Sequence, residues 1–514
     1  MPKWLSNAVF YQIYPQSFYD SNGDGIGDIN GIKEKLGYIK DLGCNAIWIN
    51  PCFESPFMDG GYDISDYYKV AARYGTNGDL KSLFEAAHSL GIKVLLDLVP
   101  GHTSDKHKWF SESKKPEKNE FSDRYIWTDS VWEAPRQYNF ECGITNRDGN
   151  YMVNFFSSQP ALNYGFNKIT HPKWQMSYKS PECKRTVEAI KDVMRFWLDL
   201  GCDGFRVDMA DSLVKNDDEK TATSEIWRDI RIMLDENYPE AAIISEWCCP
   251  QRAITCGFHS DFYLDHEGNG YHTAFRNDII NGEDTCFFSK LGKGDITVLT
   301  GELEKDLKQI NGLGYVSFIT GNHDIKRLSY RYDESELKVA ICTILFLPGV
   351  PFIYYGDEIG MPYNESLKSK EGGFYRTGSR TPMQWDDSRN AGFSNANKQD
   401  LYLPVDDSEN NVNVKAQSQY NYSLLNTIKK ALTIRNEYND FSAESEYETL
   451  FAQKHRYPYI FRRGDFAVCV NPSVESAKAN IDITLKNCVF KIGDVDINGK
   501  NINMQGQSMG VFKL

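Results

Sequence analysis

Acidic and basic side chains in this 514-residue chain recur directly after short apolar runs, where a strand would end and its side chains face a common rim. In Gly204-Phe205-Arg206-Val207-Asp208 the arginine stands two residues before the acid. Strand alternation puts both on one side, so a guanidinium can hold the carboxylate ionised and oriented. Taken alone, the pair is equally consistent with a structural ion pair. Glu246 follows Ile243-Ile244-Ser245 and precedes Trp247, an apolar setting that raises a carboxyl pKa toward neutrality and suits a general acid. Asp324 closes Thr320-Gly321-Asn322-His323-Asp324. Three acids at three strand ends fit the chemistry of a glycosidic bond: a nucleophile, an acid/base, and a third charge that offsets a cationic transition state.

Asp97, His102, Asp208, His323 and Asp324 also offer a dinuclear metal site. No HxH motif stands near the first strand and no further histidine completes such a set, which disfavours it. A second motif has a different character. In 20–28, oxygen-bearing Asp20, Asn22, Asp24 and Asp28 alternate, with Gly25 sixth and Ile26 at the position where a calcium loop uses a backbone carbonyl. Gly31 stands where an EF-hand has its final glutamate, so the expectation is an EF-like loop holding Ca²⁺, with an ion-free cluster of Asx turns as the alternative. No organic cofactor is expected.

The elements that position these residues alternate. Apolar or β-branched runs at 9–13, 45–49, 93–99, 204–207, 242–245, 315–320 and 350–354 read as buried strands, and one more, sixth in order, is placed near 262–264. Amphipathic stretches at 32–42, 80–90, 186–200, 224–236 and 336–347 lie between them. This alternation predicts a (β/α)₈ TIM barrel, whose active site forms at the carboxyl ends of the strands; the rival open sheet lacks a GxGxxG after an early strand. The polar, aromatic stretch at 103–174 is too long for a plain loop and is expected to fold as a small inserted domain after the third strand. The tail, with alternating stretches at 459–462, 466–470, 479–485 and 489–492, predicts an antiparallel β domain. The expected division is 1–102 with 175–435 for the barrel, 103–174 for the insert and 436–514 for the tail.

Composition excludes several classes. Lys and Arg number 57 against 71 Asp and Glu, a net charge of −14 that repels nucleic acid and anionic membranes. No apolar run is long enough to span a bilayer. Twelve cysteines without a CxxC pair read as reduced thiols, and no secretory signal opens the chain, so a cytoplasmic location is expected.

With these residues in view, the chain resembles the α-amylase superfamily, glycoside hydrolase family 13, and within it the oligo-1,6-glucosidase and α-glucosidase branch. The resemblance rests on Tyr11-Gln12-Ile13-Tyr14-Pro15, Gly61-Tyr62-Asp63-Ile64-Ser65-Asp66-Tyr67, Asp97 through Ser104, Gln159-Pro160-Ala161-Leu162-Asn163, Gly204 through Asp208, Glu246-Trp247, Asn322-His323-Asp324 and Arg380-Thr381-Pro382-Met383-Gln384-Trp385. It implies Asp208 as nucleophile of a covalent glucosyl intermediate, Glu246 as acid/base and Asp324 as the third carboxylate. It further implies that His102, Arg206 and His323 hydrogen-bond the sugar, that Tyr62 stacks on it, and that Gln159 joins the substrate-binding set. Asp63 and Arg380 are expected to pair and wall off the non-reducing end, which makes a pocket and an exo-acting enzyme on α-linked gluco-oligosaccharides. Trehalose synthase-like isomerisation and endo-acting amylase activity are the alternatives. Gly101 replaces an asparagine that binds a second calcium in many relatives, so that second site is not expected. Met209 leaves α-1,6 against α-1,4 linkage open, and Asp211-Ser212, in place of a Lys-His pair, weakens the amylase reading. Relatives that serve as non-catalytic transporter subunits carry a membrane span and have lost catalytic acids; neither trait is seen here.

Overall fold

The computed structural model describes residues 1–276, 279–280, 283–406 and 412–514. Eight strands form a closed parallel barrel: β1 (Phe10–Ile13), β2 (Ala46–Ile49), β3 (Lys93–Leu98), β4 (Gly204–Val207), β5 (Ala242–Ser245), β6 (Ser260–Tyr263), β7 (Tyr315–Ile319) and β8 (Val350–Tyr354). Every residue of these strands except Lys93 is buried, as expected where helices cover the outside and side chains fill the inside. Trp48, Phe262 and Phe352 pack edge-on or tilted within the barrel, with centroids 4.8 to 6.2 Å apart. Each such ring contributes roughly 1.5–3 kcal/mol by leaving water.

Local signals start the covering helices. Thr76 and Asp79 form a reciprocal capping box for Asn77–Ser89, and Ser180 caps Pro181–Leu200 with Pro181 in the first turn, where its missing N–H costs nothing. The stretch expected at 32–42 is two helices, Ile29–Glu34 and Leu36–Leu42, parted at Lys35. Helix Glu334–Phe346 is buried on nearly all sides, with helix Leu424–Glu437 and the C-terminal sheet packed against it.

Between β3 and Pro181–Leu200 the chain makes a short helix, Lys108–Ser113, and a two-stranded ladder pairing Phe140–Glu141 with Tyr151–Met152. A separate apolar cluster of Ile126, Met152, Ala161, Phe166 and Trp174 holds this insert together. After helix Leu424–Glu437 follow β9 (Tyr447–Gln453), β10 (Arg456–Arg463), β11 (Phe466–Asn471), β12 (Ala477–Asn480), β13 (Cys488–Ile492), β14 (Val495–Asn498), β15 (Asn501–Met504) and β16 (Ser508–Lys513). They form antiparallel sheets ordered β9-β10-β11-β16-β13 and β12-β15-β14. The alternation at 479–485 yields a strand only as far as Asn480. Among the described residues no helix is long and apolar enough to cross a membrane.

Register is what places the site. Asp97 on β3 faces Arg206 on β4, and Val207 faces Ser245 on β5. One residue further along, Asp208 and Glu246 therefore leave adjacent strands side by side, with Asp208 N–H on Leu98 O at 2.8 Å and Glu246 N–H on Val207 O at 3.0 Å.

Candidate active site

Arg206 is the hub. Its Nη1 lies 2.8 Å from Asp97 Oδ1 and 3.0 Å from Asp208 Oδ1, and its Nη2 lies 2.6 Å from Glu246 Oε2. Asp97 forms the floor, its Oδ2 accepting from Trp48 Nε1 at 3.1 Å and from the Tyr62 hydroxyl at 3.0 Å. Met209 turns the chain directly after Asp208 in a left-handed conformation (φ 42°) that is strained for a non-glycine residue, and its N–H donates to Glu246 Oε2 at 3.2 Å. The strained turn thus binds the two acids into one unit.

Three carboxylates around one guanidinium cannot all ionise without cost. Burial pushes Glu246 up to about 7, with the charges of Asp208 and Asp324 adding and Arg206 opposing. Burial likewise raises Asp208 to about 7 and Asp97 to about 6 against the pull of Arg206. Asp324 goes the other way. Burial would raise it, yet His323, with Nε2 3.0 Å from Oδ2, and the guanidiniums of Arg380 and Arg376, at 3.1 and 2.9 Å from Oδ1, hold it well below the usual carboxylate range. Burial keeps the His323 ring neutral. Its Nδ1 faces the side-chain amides of Gln12 and Asn50, each at 3.2 Å, so with Nδ1 accepting, the proton sits on Nε2 and points at Asp324. Burial therefore favours the protonated form of Asp208 and Glu246, while the groups around Asp324 favour its ionised form.

A cavity of about 450 Å³ opens above these groups, lined by Asp59, Tyr62, His102, Asp208, Met209, Glu246, Asp324 and Arg376, with Phe155, Phe156, Phe374 and Tyr375 at its rim. A second cavity of about 330 Å³, before the amino end of β2, has no acid in its wall. Of the sequence-derived residues, Tyr62, His102, Asp208, Glu246 and Asp324 line the 450 Å³ cavity. Arg206 and His323 lie buried against its wall residues, the His323 ring stacked on Tyr62 at 5.2 Å. Gln159 stands behind the wall and donates to Asp59 Oδ2 at 2.9 Å.

The expected Asp63–Arg380 pair does not form. Asp63 is turned back into its own loop, accepting from Ser55 Oγ and from the N–H groups of Met58 and Asp59 at 2.9 to 3.1 Å, because Gly60 and Gly61 reverse the chain with positive φ. Arg380 grips Asp324 and the His323 carbonyl from behind. The wall pair is instead Asp59 with Arg376, Oδ1 to Nη2 3.1 Å, and Arg376 reaches on to Asp324. Both sit four residues before the positions expected.

In the 20–28 loop the side chains close Asx turns. Asp20 accepts from the N–H groups of Asn22, Gly23 and Gly25, Asn22 from Asp24, and Asp24 from Ile26, while Asp28 caps the helix that follows through Gly31 N–H at 2.7 Å. Among the described residues no three His, Cys, Asp or Glu side chains gather as a metal ion would require. Among Asp97, Asp208 and Glu246 the Arg206 guanidinium stands where a dinuclear site would need a cation.

The profile of the alpha amylase catalytic domain matches residues 12–444. An oligo-1,6-glucosidase of Heyndrickxia coagulans is 32% identical over 90% of this chain and 90% of its own length. A trehalose synthase/amylase of Mycolicibacterium smegmatis is 33% identical, covering 85% of this chain and 77% of its own. The crystal structure of a mutant isomaltulose synthase from Erwinia rhapontici NX5, in complex with D-glucose, superposes with a TM-score of 0.81 at 25% identity over 100% of this chain and 99% of that one. Strand order, site geometry and these likenesses agree: the chain belongs to the alpha-amylase family, glycoside hydrolase family 13.

Proposed function

We propose that this protein is a retaining, exo-acting α-glucosidase that releases glucose from the non-reducing end of short α-linked gluco-oligosaccharides, with some transfer to sugar acceptors. The observation that carries this reading is that one guanidinium fork, Arg206, holds Asp208 and Glu246 under a pocket walled by Asp59 and Arg376. In this reading Asp208 attacks the anomeric carbon, Glu246 protonates the departing glycosidic oxygen, and a glucosyl ester on Asp208 forms as the bond to the aglycone breaks. Glu246, now a carboxylate, then takes a proton from water, which displaces Asp208 and restores the α configuration. Asp324, ionised throughout, grips sugar hydroxyls and offsets the cationic character of the ring. Tyr62 offers a face to the ring and neutral His102 offers a hydrogen bond. The walled end admits one glucose unit, hence the exo mode.

A product time course on maltose, isomaltose, trehalose, sucrose and panose tests it. Free glucose from the outset supports hydrolysis. A second reading, isomerisation between disaccharides, draws on the aromatic rim of Phe155, Phe156, Phe374 and Tyr375, which can hold a departing sugar for re-attack; interconverted disaccharide with little glucose would favour it. Internal cleavage of starch before glucose appears would instead mark an endo-amylase.

We also propose Ca²⁺ at Asp20, Asn22, Asp24, the Ile26 carbonyl and Asp28, as a clamp on the first barrel loop. The donor types are those of a calcium loop; Asn22 Oδ1, Asp24 Oδ1 and Asp28 Oδ2 each accept one N–H and keep a lone pair for a cation, while Asp20 would have to exchange hydrogen bonds for it.

A further inference from the structure

We propose that Asp261 is a positioning residue that fixes the segment carrying Glu246 and so aims its carboxyl group at the leaving oxygen. Asp261 sits on β6, opposite Ser245 of β5 in the parallel register, and is fully buried. Its Oδ1 accepts from Ser245 Oγ at 2.6 Å and from Trp247 N–H at 3.0 Å, and its Oδ2 accepts from Cys249 N–H at 2.7 Å. One carboxylate thus straps the residues on both sides of Glu246 and a third, Cys249, three positions beyond it. Between them Cys248 takes a left-handed conformation (φ 58°), which stores strain that the strap holds in place. On the opposite side the Glu246 backbone is tied to β4, its N–H on Val207 O at 3.0 Å and its carbonyl accepting from Ala210 N–H at 3.2 Å.

A carboxylate is a costly choice for a turn inside a protein, since burial pushes Asp261 up to about 7 against those hydrogen bonds. What it gains is three acceptor contacts from one rigid group. An asparagine of the same shape would present N–H to N–H at one of them.

The inference rests on Glu246 being the acid/base of the proposed glucosidase. The test compares kcat/KM for a substrate whose leaving group needs a proton, maltose or isomaltose, with that for α-glucosyl fluoride, whose leaving group departs without protonation by an acid. Glu246→Gln serves as the reference. Asp261→Asn is expected to lose about a hundredfold on the disaccharide and less than about threefold on the fluoride, the signature of a misaimed acid. Equal loss on both substrates, or on neither, overturns the inference. If Glu246→Gln itself loses equally on both, the glucosidase reading fails rather than the role of Asp261. Should Asp261→Asn not fold, Ser245→Ala removes one strap contact without touching the charge. It is expected to show the same split at about tenfold, and a uniform loss in that variant overturns the proposal as well.

Discussion

Nη2 of Arg206 and Oε2 of Glu246 stand 2.6 Å apart, while the other terminal nitrogen of the same guanidinium serves Asp97 and Asp208. The strand register dictates this sharing, and it leaves more carboxylates than guanidiniums in the floor of the cavity. The fold carries that imbalance as a cost at neutral pH, and the cost is measurable.

Glu246 rises from its ordinary 4.5 to about 7 through burial, so its protonated form is favoured in the folded chain. The stability this contributes is complete below the unfolded pKa and is lost as pH rises through about 7. Glu246→Gln removes the charge that burial opposes. The variant is expected to be more stable than the wild type by about 3 kcal/mol at pH 8, with the difference vanishing near pH 4. Melting curves across that range check it; a variant less stable at pH 8 would show that the ionised acid supports the fold.

Arg376 ties Asp59 to Asp324 across the closed end of the cavity. Arg376→Ala is expected to lower kcat/KM on disaccharides about a hundredfold, since both the wall and the orientation of Asp324 are lost. Asp59→Ala opens the same wall, and with starch it is expected to shift products toward longer chains. Chromatographic product profiles read the shift, and an unchanged glucose-only profile from both variants would place the wall elsewhere.

Much of this was legible in the amino-acid order. The bounds of β4, β5 and β8 follow their apolar runs to the residue, and Asp208, Glu246 and Asp324 stand at strand ends because barrel chemistry is built there. β6 begins two residues earlier than its apolar signal, because Ser260 and Asp261 are polar residues buried in a hydrogen-bond network, which a hydrophobic pattern cannot register. The wall pair was the harder problem. Asp59 and Asp63 are four apart, as are Arg376 and Arg380, so two equivalent pairings exist. Only the reversal at Gly60-Gly61 decides between them. Its signal, two adjacent glycines between the aspartates, was present in the chain. Asp59 and Arg376 could have been found from it.

The 20–28 loop offers a test independent of activity. Saturating Ca²⁺ is expected to raise the melting temperature, by the equivalent of about 2.7 kcal/mol at a hundred times the Kd, and EDTA to reverse it. Asp24→Ala is expected to abolish the effect without changing kcat, because the loop shapes the barrel rim and touches no substrate. Melting indifferent to EDTA, with no metal by elemental analysis, would leave the loop a cluster of Asx turns.

The central claim, that Asp208 bonds covalently to glucose while Glu246 serves its leaving group, is tested most directly by trapping. The protein is incubated with 5-fluoro-α-glucosyl fluoride, and the intact mass and peptide map are read by mass spectrometry. One fluoroglucosyl unit on the peptide containing Asp208, absent in Asp208→Asn, is the predicted result. An adduct on another residue, or catalytic turnover retained by Asp208→Asn, would contradict it.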